Sequence, residues 1–329
     1  MPRYGQVLLV VAEAGAADFI APLLGEWLGN RPPPFVWHVV AAPVPATRLL
    51  ATVPAVEPEM TVAPDASADI SPLLEGARAL VASAGRSRMI ETHALRSAKR
   101  RGLPSLQFVD AWNSMPYRFE RGGTFEMADR VLMIDDTAIE NAVALGLPRE
   151  RFVAVGHPGF ERAPLLPETD DTAVLVLGSP LREIMGDTLG YDQDDCLEII
   201  AAAATKRPDL LPKLLYAAHP GETKMPGGIE RVETGLGLLR CATVIGSFAA
   251  PMVSAYLGGR RVVSVQPSLP EGNLFEPSRR GLVRRVSDAD GLIAALEEKT
   301  NPAGVFRDLF RASTARVAAE IESFVAKTC

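Results

Sequence analysis

The chain has 329 residues, which is enough for two domains of ordinary size. Hydrophobic residues make up 47% of it and charged residues 22%, a composition that excludes a disordered protein. The formal net charge of −6 argues against a general nucleic-acid binder, which needs a basic face. Cys196, Cys241 and Cys329 lie far apart and form no CxxC pair, so neither a disulfide framework nor a structural zinc site is expected.

No segment is predicted to span a membrane. The apolar run Val7–Val11 is too short, and no later segment reaches about 18 uninterrupted apolar residues. No small-residue cleavage site follows a basic start, so no signal peptide is expected. We therefore predict a cytoplasmic protein, for which peripheral membrane association stays open.

The first half alternates short β-branched runs with longer helical patterns, which is typical of parallel α/β layers. The predicted strands are Gln6–Val11, Val36–Ala41, Ala79–Ala82, Ser105–Val109, Arg130–Ile134 and Phe152–Val155. The predicted helices are Ala16–Leu28, Met89–Arg101 and Asp136–Leu145. The proline-rich stretch Pro43–Pro72 is predicted to be irregular loop with one short helix.

A second α/β series follows a linker, Gly156–Thr172, that holds three prolines. Its predicted strands are Ala173–Leu177, Lys213–Ala218, Thr243–Ile245 and Val262–Val265. Its predicted helices are Gln193–Lys206, Ile229–Cys241, Pro251–Leu257, Ala289–Lys299 and, amphipathic and last, Val305–Ala326. Two such series predict an α/β protein with two Rossmann-like domains, whose parallel sheets face each other across a ligand cleft.

Two stretches of the first half follow strands and carry polar or small residues. Glu13 and Gly15 lie in a turn before a helix, where backbone amides suit an anion, although a tight packing turn is an equal alternative. The loop after Val109 then brings together a carboxylate, an indole, an amide and a guanidinium. These residues are Asp110, a candidate general base, Trp112, a candidate stacking platform, Asn113 and Arg118. In the structural alternative, Trp112 anchors the loop and Arg118 pairs with Asp110.

The second half offers candidate contacts for a nucleotide. Arg182 follows a strand and can meet phosphate oxygens in a bidentate fork, unless it only pairs with Glu183 or Asp187 on the surface. His219 and Glu222 also follow a strand. His219 can donate to a phosphate or to a base carbonyl, unless it is a core histidine whose hydrogen bonds are satisfied within the protein. The turn at Ser247 precedes a helix, so its amides and hydroxyl are candidate phosphate donors. Pro251, Met252 and Gln266 complete the candidate substrate-binding residues.

No metal site and no cofactor are predicted. The paired acids lack a metal-site context, and Asp288-Ala289-Asp290 is better explained by the capping of a helix. No nucleophile elbow, P-loop or HExxH motif occurs.

The second half resembles the nucleotide-binding domain of GT-B glycosyltransferases, near the UDP-N-acetylglucosamine 2-epimerase and CDP-glycerol transferase types. The likeness rests on His219-Pro220-Gly221-Glu222, on the stretch from Gly246-Ser247 to Leu257-Gly258, and on the strand Val262–Ser264. It implies an acceptor-type domain over residues 1–158, a nucleotide-sugar-binding domain over 159–304, and a helix over 305–329 that crosses back to the first domain. Ser254 stands where such proteins carry the glutamate that contacts the ribose.

The resemblance implies a metal-independent glycosyltransferase that moves a sugar from a nucleotide donor, UDP- or CDP-linked, to an unknown acceptor. The diphosphate would lie at Ser247 and His219 with Arg182 nearby, and Asp110 or Glu13 would take the acceptor's proton. One alternative is an epimerase or hydrolase of the same fold that acts on the sugar nucleotide alone. A second is a catalytically silent protein that binds a partner, and a homodimer also stays open.

Overall fold

The chain divides into two compact units. The computed structural model describes residues 5–29, 31–65, 67–85, 89–121, 123–169, 172–219, 221–222, 226–270, 272–298 and 303–327. Unit 1 consists of Met1–Arg162 together with Asp308–Cys329, and unit 2 consists of Ala163–Arg307. Within the described ranges, none of the helices combines the length and the apolar character needed to cross a bilayer.

The strands are short and mostly buried. They are β1 (Gln6–Val11), β2 (Val36–Ala41), β3 (Met60–Val62), β4 (Ala77–Ser83), β5 (Ser105–Phe108), β6 (Glu120–Arg121), β7 (Thr124–Phe125), β8 (Arg130–Met133), β9 (Phe152–Ala154), β10 (Val174–Leu177), β11 (Leu214–Ala217), β12 (Glu230–Arg231), β13 (Thr243–Gly246), β14 (Arg261–Val265) and β15 (Arg284–Val286).

Helices connect most of these strands. They are α1 (Ala14–Leu28), α2 (Pro43–Thr52), α3 (Met89–Arg100), α4 (Met115–Phe119), α5 (Asp136–Val143), α6 (Pro158–Glu161), α7 (Leu181–Met185), α8 (Gln193–Lys206), α9 (Thr234–Arg240), α10 (Ala250–Leu257), α11 (Glu276–Arg279), α12 (Ala289–Glu297), α13 (Gly304–Asp308) and α14 (Ser313–Lys327). Short 3-10 helices add Pro54–Glu59, Ser71–Leu74, Arg149–Arg151 and Gly186–Leu189.

Both units contain a parallel sheet with the strand order of a Rossmann fold. The sheet of unit 1 has the order β3-β2-β1-β4-β5-β8-β9, and that of unit 2 has the order β12-β11-β10-β13-β14-β15. In each unit the order reverses once, between β1 and β4 or between β10 and β13. Such a switch point is where open α/β sheets bind ligands, at the carboxyl ends of the strands. The two predicted Rossmann-like parallel sheets are confirmed.

Strand alternation divides the core of unit 1 between the two faces of its sheet, because successive side chains point to opposite faces. One face packs against α1 and α14, and its cluster includes Val7, Leu9, Val11, Val317, Ile321 and Val325. The opposite face packs against α3, and its cluster includes Leu8, Val10, Leu80, Ile90, Ala94 and Ala98. Helices therefore cover both faces, as a parallel sheet requires.

The predicted helix Ile229–Cys241 is wrong over its first part. Those residues form β12, which pairs with β11, and α9 follows only at Thr234. Glu233 caps α9, because its carboxylate accepts a hydrogen bond from the amide of Leu236 at 2.9 Å. Pairing between strands is a long-range contact, which a helical pattern within a short window does not report.

The predicted single helix Val305–Ala326 is also wrong. Four residues, 309–312, separate α13 from α14, and Ala312 has a φ of 58°. That left-handed conformation interrupts a right-handed helix. The predicted apolar face is confirmed in α14, where Val317, Ile321 and Val325 are buried and Phe324 is partly buried.

The stretch Pro43–Pro72 is more regular than predicted, since it holds α2, two 3-10 helices and β3. Pro43 is at the start of α2, where its missing N–H costs nothing. The remaining predicted elements agree with the structure to within two residues at each end.

Candidate active site

An acidic edge lies at the switch point of unit 1. Glu13 follows β1, Asp110 follows β5, and Glu91 in the first turn of α3 reaches back to the end of β4. We call these three carboxyl groups the acidic edge. The strands β1, β4 and β5 are neighbours in the sheet, so their carboxyl ends meet at the same place.

Asp110 lies against the first turn of α1. A Cβ on Gly15 would be 2.2 Å from Oδ2 of Asp110, so the carboxylate occupies the space that a side chain would fill. The N-terminus of a helix carries partial positive charge and stabilises an anion there. The turn that the sequence predicts as an anion site is therefore occupied by an anion of the protein itself.

Arg118 holds Asp110 from the other side. Its Nη1 donates to Oδ1 of Asp110 at 2.9 Å and also to the carbonyl of Ala84, and its Nε donates to the carbonyl of Asn113 at 3.2 Å. The side chain of Arg118 is only 4% exposed and that of Asp110 12%. A buried ion pair with these extra hydrogen bonds fixes the carboxylate in one orientation.

Trp112 anchors the loop, which is the structural alternative weighed for this residue. The residue is 6% exposed, and its ring stacks on Phe160 at a centroid distance of 5.9 Å. Its Nε1 donates to Oδ2 of Asp135 at 2.8 Å. Burial on this scale argues against the predicted role as a platform for a ligand ring.

His157 lies beneath the same loop and is not among the predicted site residues. It is buried, its Nδ1 accepts a hydrogen bond from the amide of Phe160 at 3.1 Å, and its ring stacks on Phe160. Burial lowers the pKa of His157 to about 3, so the ring is neutral. A signal was present, because His157-Pro158-Gly159 repeats the His-Pro-Gly pattern of the second half.

Glu91 is a second residue that the sequence analysis missed. It is 2% exposed, and burial raises its pKa to about 8 against the hydrogen bond from Ser83. The available signal was its helical position, since Glu91 shares one face of α3 with Ile90, Ala94 and Ala98. A carboxyl group on a buried face is rare unless it has partners.

In unit 2, Glu222 shapes the turn after β11. Its Oε1 accepts a hydrogen bond from the hydroxyl of Tyr216 at 2.6 Å, and its Oε2 accepts one from the amide of His219 at 2.7 Å. A Cβ on Gly178 would lie 2.3 Å from Oε2, so this glycine lets the carboxylate approach β10. Nδ1 of His219 accepts a hydrogen bond from the amide of Gly221 at 3.0 Å. Pro220 of the predicted motif lies outside the described residues.

Arg182 pairs with Asp192, which differs from the two partners weighed in the sequence analysis. Asp192 is the N-terminal cap of α8 and forms a capping box with Asp195. The Arg182 side chain is 67% exposed, so it stays accessible at the carboxyl end of β10. Its predicted contact with a diphosphate is compatible with that position.

The turn after β13 presents an N-terminus without a side-chain cap. Ala249 makes no capping hydrogen bond to α10, and Pro251 occupies the first turn. The hydroxyl of Ser247 donates to the carbonyl of Val265 at 2.8 Å and is buried. The amides of the turn, rather than this hydroxyl, are therefore the candidate phosphate donors.

Two other predicted residues lie in the interior. Met252 and Gln266 are both 0% exposed, and Gln266 hydrogen-bonds to Ser264, Asn273 and Leu274. This burial argues against the predicted contact of these two side chains with substrate. A cavity of about 20 Å³, room for one water, lies behind the neighbouring turns and is lined by residues that include Cys196 and Tyr216.

The structure brings Glu13, Gly15, Asp110 and Arg118 together in unit 1. It places Arg182, His219 and the Ser247 turn at the carboxyl ends of β10, β11 and β13, which are neighbours in unit 2. Within the described ranges, no three His, Cys, Asp or Glu side chains are grouped as metal ligands.

Solved structures are similar to the chain over nearly its whole length, although no protein-family model and no curated protein matches its sequence. The UDP-GlcNAc 2-epimerase of Methanocaldococcus jannaschii, in complex with UDP-GlcNAc and UDP, has a TM-score of 0.66 at 10% identity and covers 97% of this chain and 99% of its own. The UDP-GlcNAc 2-epimerase of Neisseria meningitidis bound to UDP-GlcNAc has a TM-score of 0.60 at 11% identity. The match covers 98% of this chain and 100% of that enzyme's chain. The chain has the fold of the UDP-GlcNAc 2-epimerases.

A further solved structure, Anabaena HepE in complex with UDP-glucose, has a TM-score of 0.59 at 11% identity and covers 99% of both chains. The predicted GT-B-like fold near the 2-epimerases is thereby confirmed. The cleft between the two sheets stays a prediction.

Proposed function

We propose that the chain is an enzyme that epimerises, or hydrolyses, a UDP-linked sugar without a second substrate. The likeness to 2-epimerases in complex with UDP-GlcNAc supports this function better than sugar transfer to an acceptor. The UDP-glucose bound to HepE further supports a UDP-linked sugar as the ligand class.

The observation that carries the proposal is the presence of Glu13 and Asp110 at the acidic edge. Inverting a sugar carbon by proton transfer requires a base that removes a proton and an acid that returns one. Carboxyl groups in different environments can divide those roles. Asp110 is ion-paired with Arg118 and suits the base, whereas Glu13 is half-buried at the end of β1, two strands away in the sheet, and suits the acid or a second base.

The second unit supplies the features that a nucleotide diphosphate needs. An uncapped helix N-terminus attracts phosphate, and an exposed guanidinium pairs with it in a bidentate fork. The N-terminus of α10 and the side chain of Arg182 have these properties. We propose that they hold the diphosphate, with His219 as a further donor.

The function is tested by incubating the protein with UDP-GlcNAc, or with UDP-glucose, and no acceptor. We expect proton NMR to show an epimerised sugar or free UDP, and the Asp110→Asn variant to lower the rate by about a hundredfold or more. Turnover only after an acceptor is added would favour the glycosyltransferase. Unchanged sugar nucleotide with or without acceptors would contradict both enzymes.

One observation favours the catalytically silent alternative. Ser254 in α10 is half-buried and has no carboxylate with which to hold a ribose. A silent protein would bind UDP in calorimetry, or a partner protein in its place, and leave the sugar unchanged. The same incubation therefore separates the two candidates.

A further inference from the structure

A buried carboxyl group lies beneath the switch point of unit 1 and has no role in the reaction as described. Oε1 of Glu91 accepts a hydrogen bond from the hydroxyl of Ser83. The amide of Gly85 lies 3.2 Å from Oε1 and 3.0 Å from Oε2. A buried carboxyl group is costly without partners, and these partners are the last residue of β4 and a residue that follows it.

Glu91 is connected to the end of β1. The hydroxyl of Ser83 accepts a hydrogen bond at 3.2 Å from the amide of Ala12, the residue before Glu13. A Cβ on Gly85 would lie 2.8 Å from Cδ of Glu13 and 3.0 Å from Oε2 of Glu91. A Cβ there would push at least one of these side chains aside, so the bare backbone of Gly85 lets both approach.

Glu91 is connected to the end of β5 as well. Ala84, between the two residues that Glu91 holds, offers its carbonyl to Arg118, and Arg118 pairs with Asp110. A shift of the backbone at Ala84 would therefore move the guanidinium and with it the carboxylate of Asp110. The contacts of Glu91 thus reach both carboxylates that the proposed function uses.

We propose that Glu91 is a positioning residue, which holds Ser83 and Gly85 in place and thereby sets where Glu13 and Asp110 meet the substrate. This inference rests on the proposed function. Misplacement of a reacting group by about 1 Å can cost a hundredfold in rate, so a residue that fixes two such groups matters without touching substrate.

The positioning depends on a neutral carboxyl group. Burial, against the Ser83 hydrogen bond and with the charge of Glu13, raises the pKa of Glu91 to about 8; the Gly85 amide and Arg118 also oppose the rise. Among the described residues, Glu13 at the start of α1 and Arg118 in α4 are the charged groups that face it. Ionisation would place a second negative charge beside Glu13, so the geometry deteriorates as the pH rises through 8.

The test compares Glu91→Gln, which keeps a neutral side chain with a similar shape, and Glu91→Ala, which removes the contacts. We expect Glu91→Ala to lower kcat for UDP-GlcNAc by about tenfold or more with a smaller change in KM. We expect Glu91→Gln to stay within about threefold of wild type. We expect kcat/KM of wild type to fall near pH 8 and that of Glu91→Gln not to fall there. The inference would be overturned if kcat/KM of Glu91→Gln fell near pH 8 as in wild type, or if Glu91→Ala kept the kcat of wild type.

Two further measurements need no substrate. They distinguish failure of this inference from failure of the proposed function. In crystal structures, we expect the carboxylates of Glu13 and Asp110 to move by about 1 Å or more in Glu91→Ala and to keep their places in Glu91→Gln. If these carboxylates did not move in Glu91→Ala, the positioning role would be contradicted, whether or not a sugar nucleotide reacts.

The second readout is thermal unfolding as a function of pH. A carboxyl group whose pKa rises from 4.5 to about 8 on folding contributes stability below pH 4.5 and loses it as the pH rises through 8. Between about pH 5 and about pH 9, the Tm of wild type should therefore fall by more than the Tm of Glu91→Gln. Glu276→Gln, at a buried glutamate of unit 2 paired with Arg279 and Arg280, is the control and should retain the wild-type slope. If Tm changed equally with pH in wild type and in Glu91→Gln, the inference that Glu91 is neutral in the folded protein would be wrong.

Discussion

Gly15 shapes the acidic edge through the side chain that it lacks. The carboxylate of Asp110 approaches the first turn of α1 only because no Cβ stands in the way. There it gains from the partial positive charge of the helix N-terminus and from the ion pair with Arg118. The position of the candidate base therefore depends on a residue that has no functional group.

Gly15→Ala tests this dependence. The new methyl group would lie 2.2 Å from Oδ2 of Asp110, so the carboxylate must move. We expect the turnover of UDP-GlcNAc to fall by about tenfold or more. Gly25→Ala, on the same helix, meets nothing within 4 Å and is the matched control; it should keep activity and gain up to about 1 kcal/mol of stability. Equal activity in the two variants would contradict the proposed contact.

Sequence alone identified Gly15, Asp110 and Arg118 but not their contact. It recognised each as a polar or small residue after a strand, and it left the ion pair of Arg118 open as one of two alternatives. Asp110 and Gly15 are far apart along the chain, and the order of strands in the sheet decides that they meet. Glu91 was missed because a glutamate in the first turn of a helix ordinarily faces water.

At the scale of the element, local patterns succeeded where local forces dominate. The predicted bounds of α8 match the structure residue for residue, because Asp192 and Asp195 form a capping box that the sequence displays. The patterns failed at β12, whose two residues become a strand only through pairing with β11. They failed again between α13 and α14, where the apolar periodicity continues across a break.

Ala312→Gly tests the cause of that break. An alanine with a φ of 58° occupies a conformation that costs about 1 kcal/mol for any residue with a Cβ. We expect the glycine to raise the free energy of unfolding by about 1 kcal/mol, as measured by denaturant titration. Ala315→Gly, at an exposed position inside α14, should lower it by about 1 kcal/mol. Destabilisation by both variants would show that the left-handed residue is not strained.

At the scale of the whole molecule, the sequence predicts two similar sheets. Alternating strands and helices sufficed to predict parallel layers in both halves, and a proline-bearing linker separated them. The strand orders, and with them the two switch points, required the structure, because periodicity reports which residues are buried and not which strands are neighbours. Of the predicted site residues, Glu13, Gly15, Arg182 and Ser247 follow the strands that border these switch points.

Each unit contributes different chemistry to the proposed function. In unit 1, acids that can move protons lie at the carboxyl ends of the strands. In unit 2, amides and a guanidinium that suit phosphate lie at the corresponding strand ends. For an epimerase, the central claim is that a proton on the sugar is removed and returned.

Incubation with UDP-GlcNAc in D2O tests that claim most directly. We expect NMR and mass spectrometry to find one solvent deuteron on the inverted carbon of the product, and the Asp110→Asn variant to incorporate it far more slowly. Sugar nucleotide that stays unchanged, or an epimerised product that carries no deuterium, would contradict proton transfer at the acidic edge.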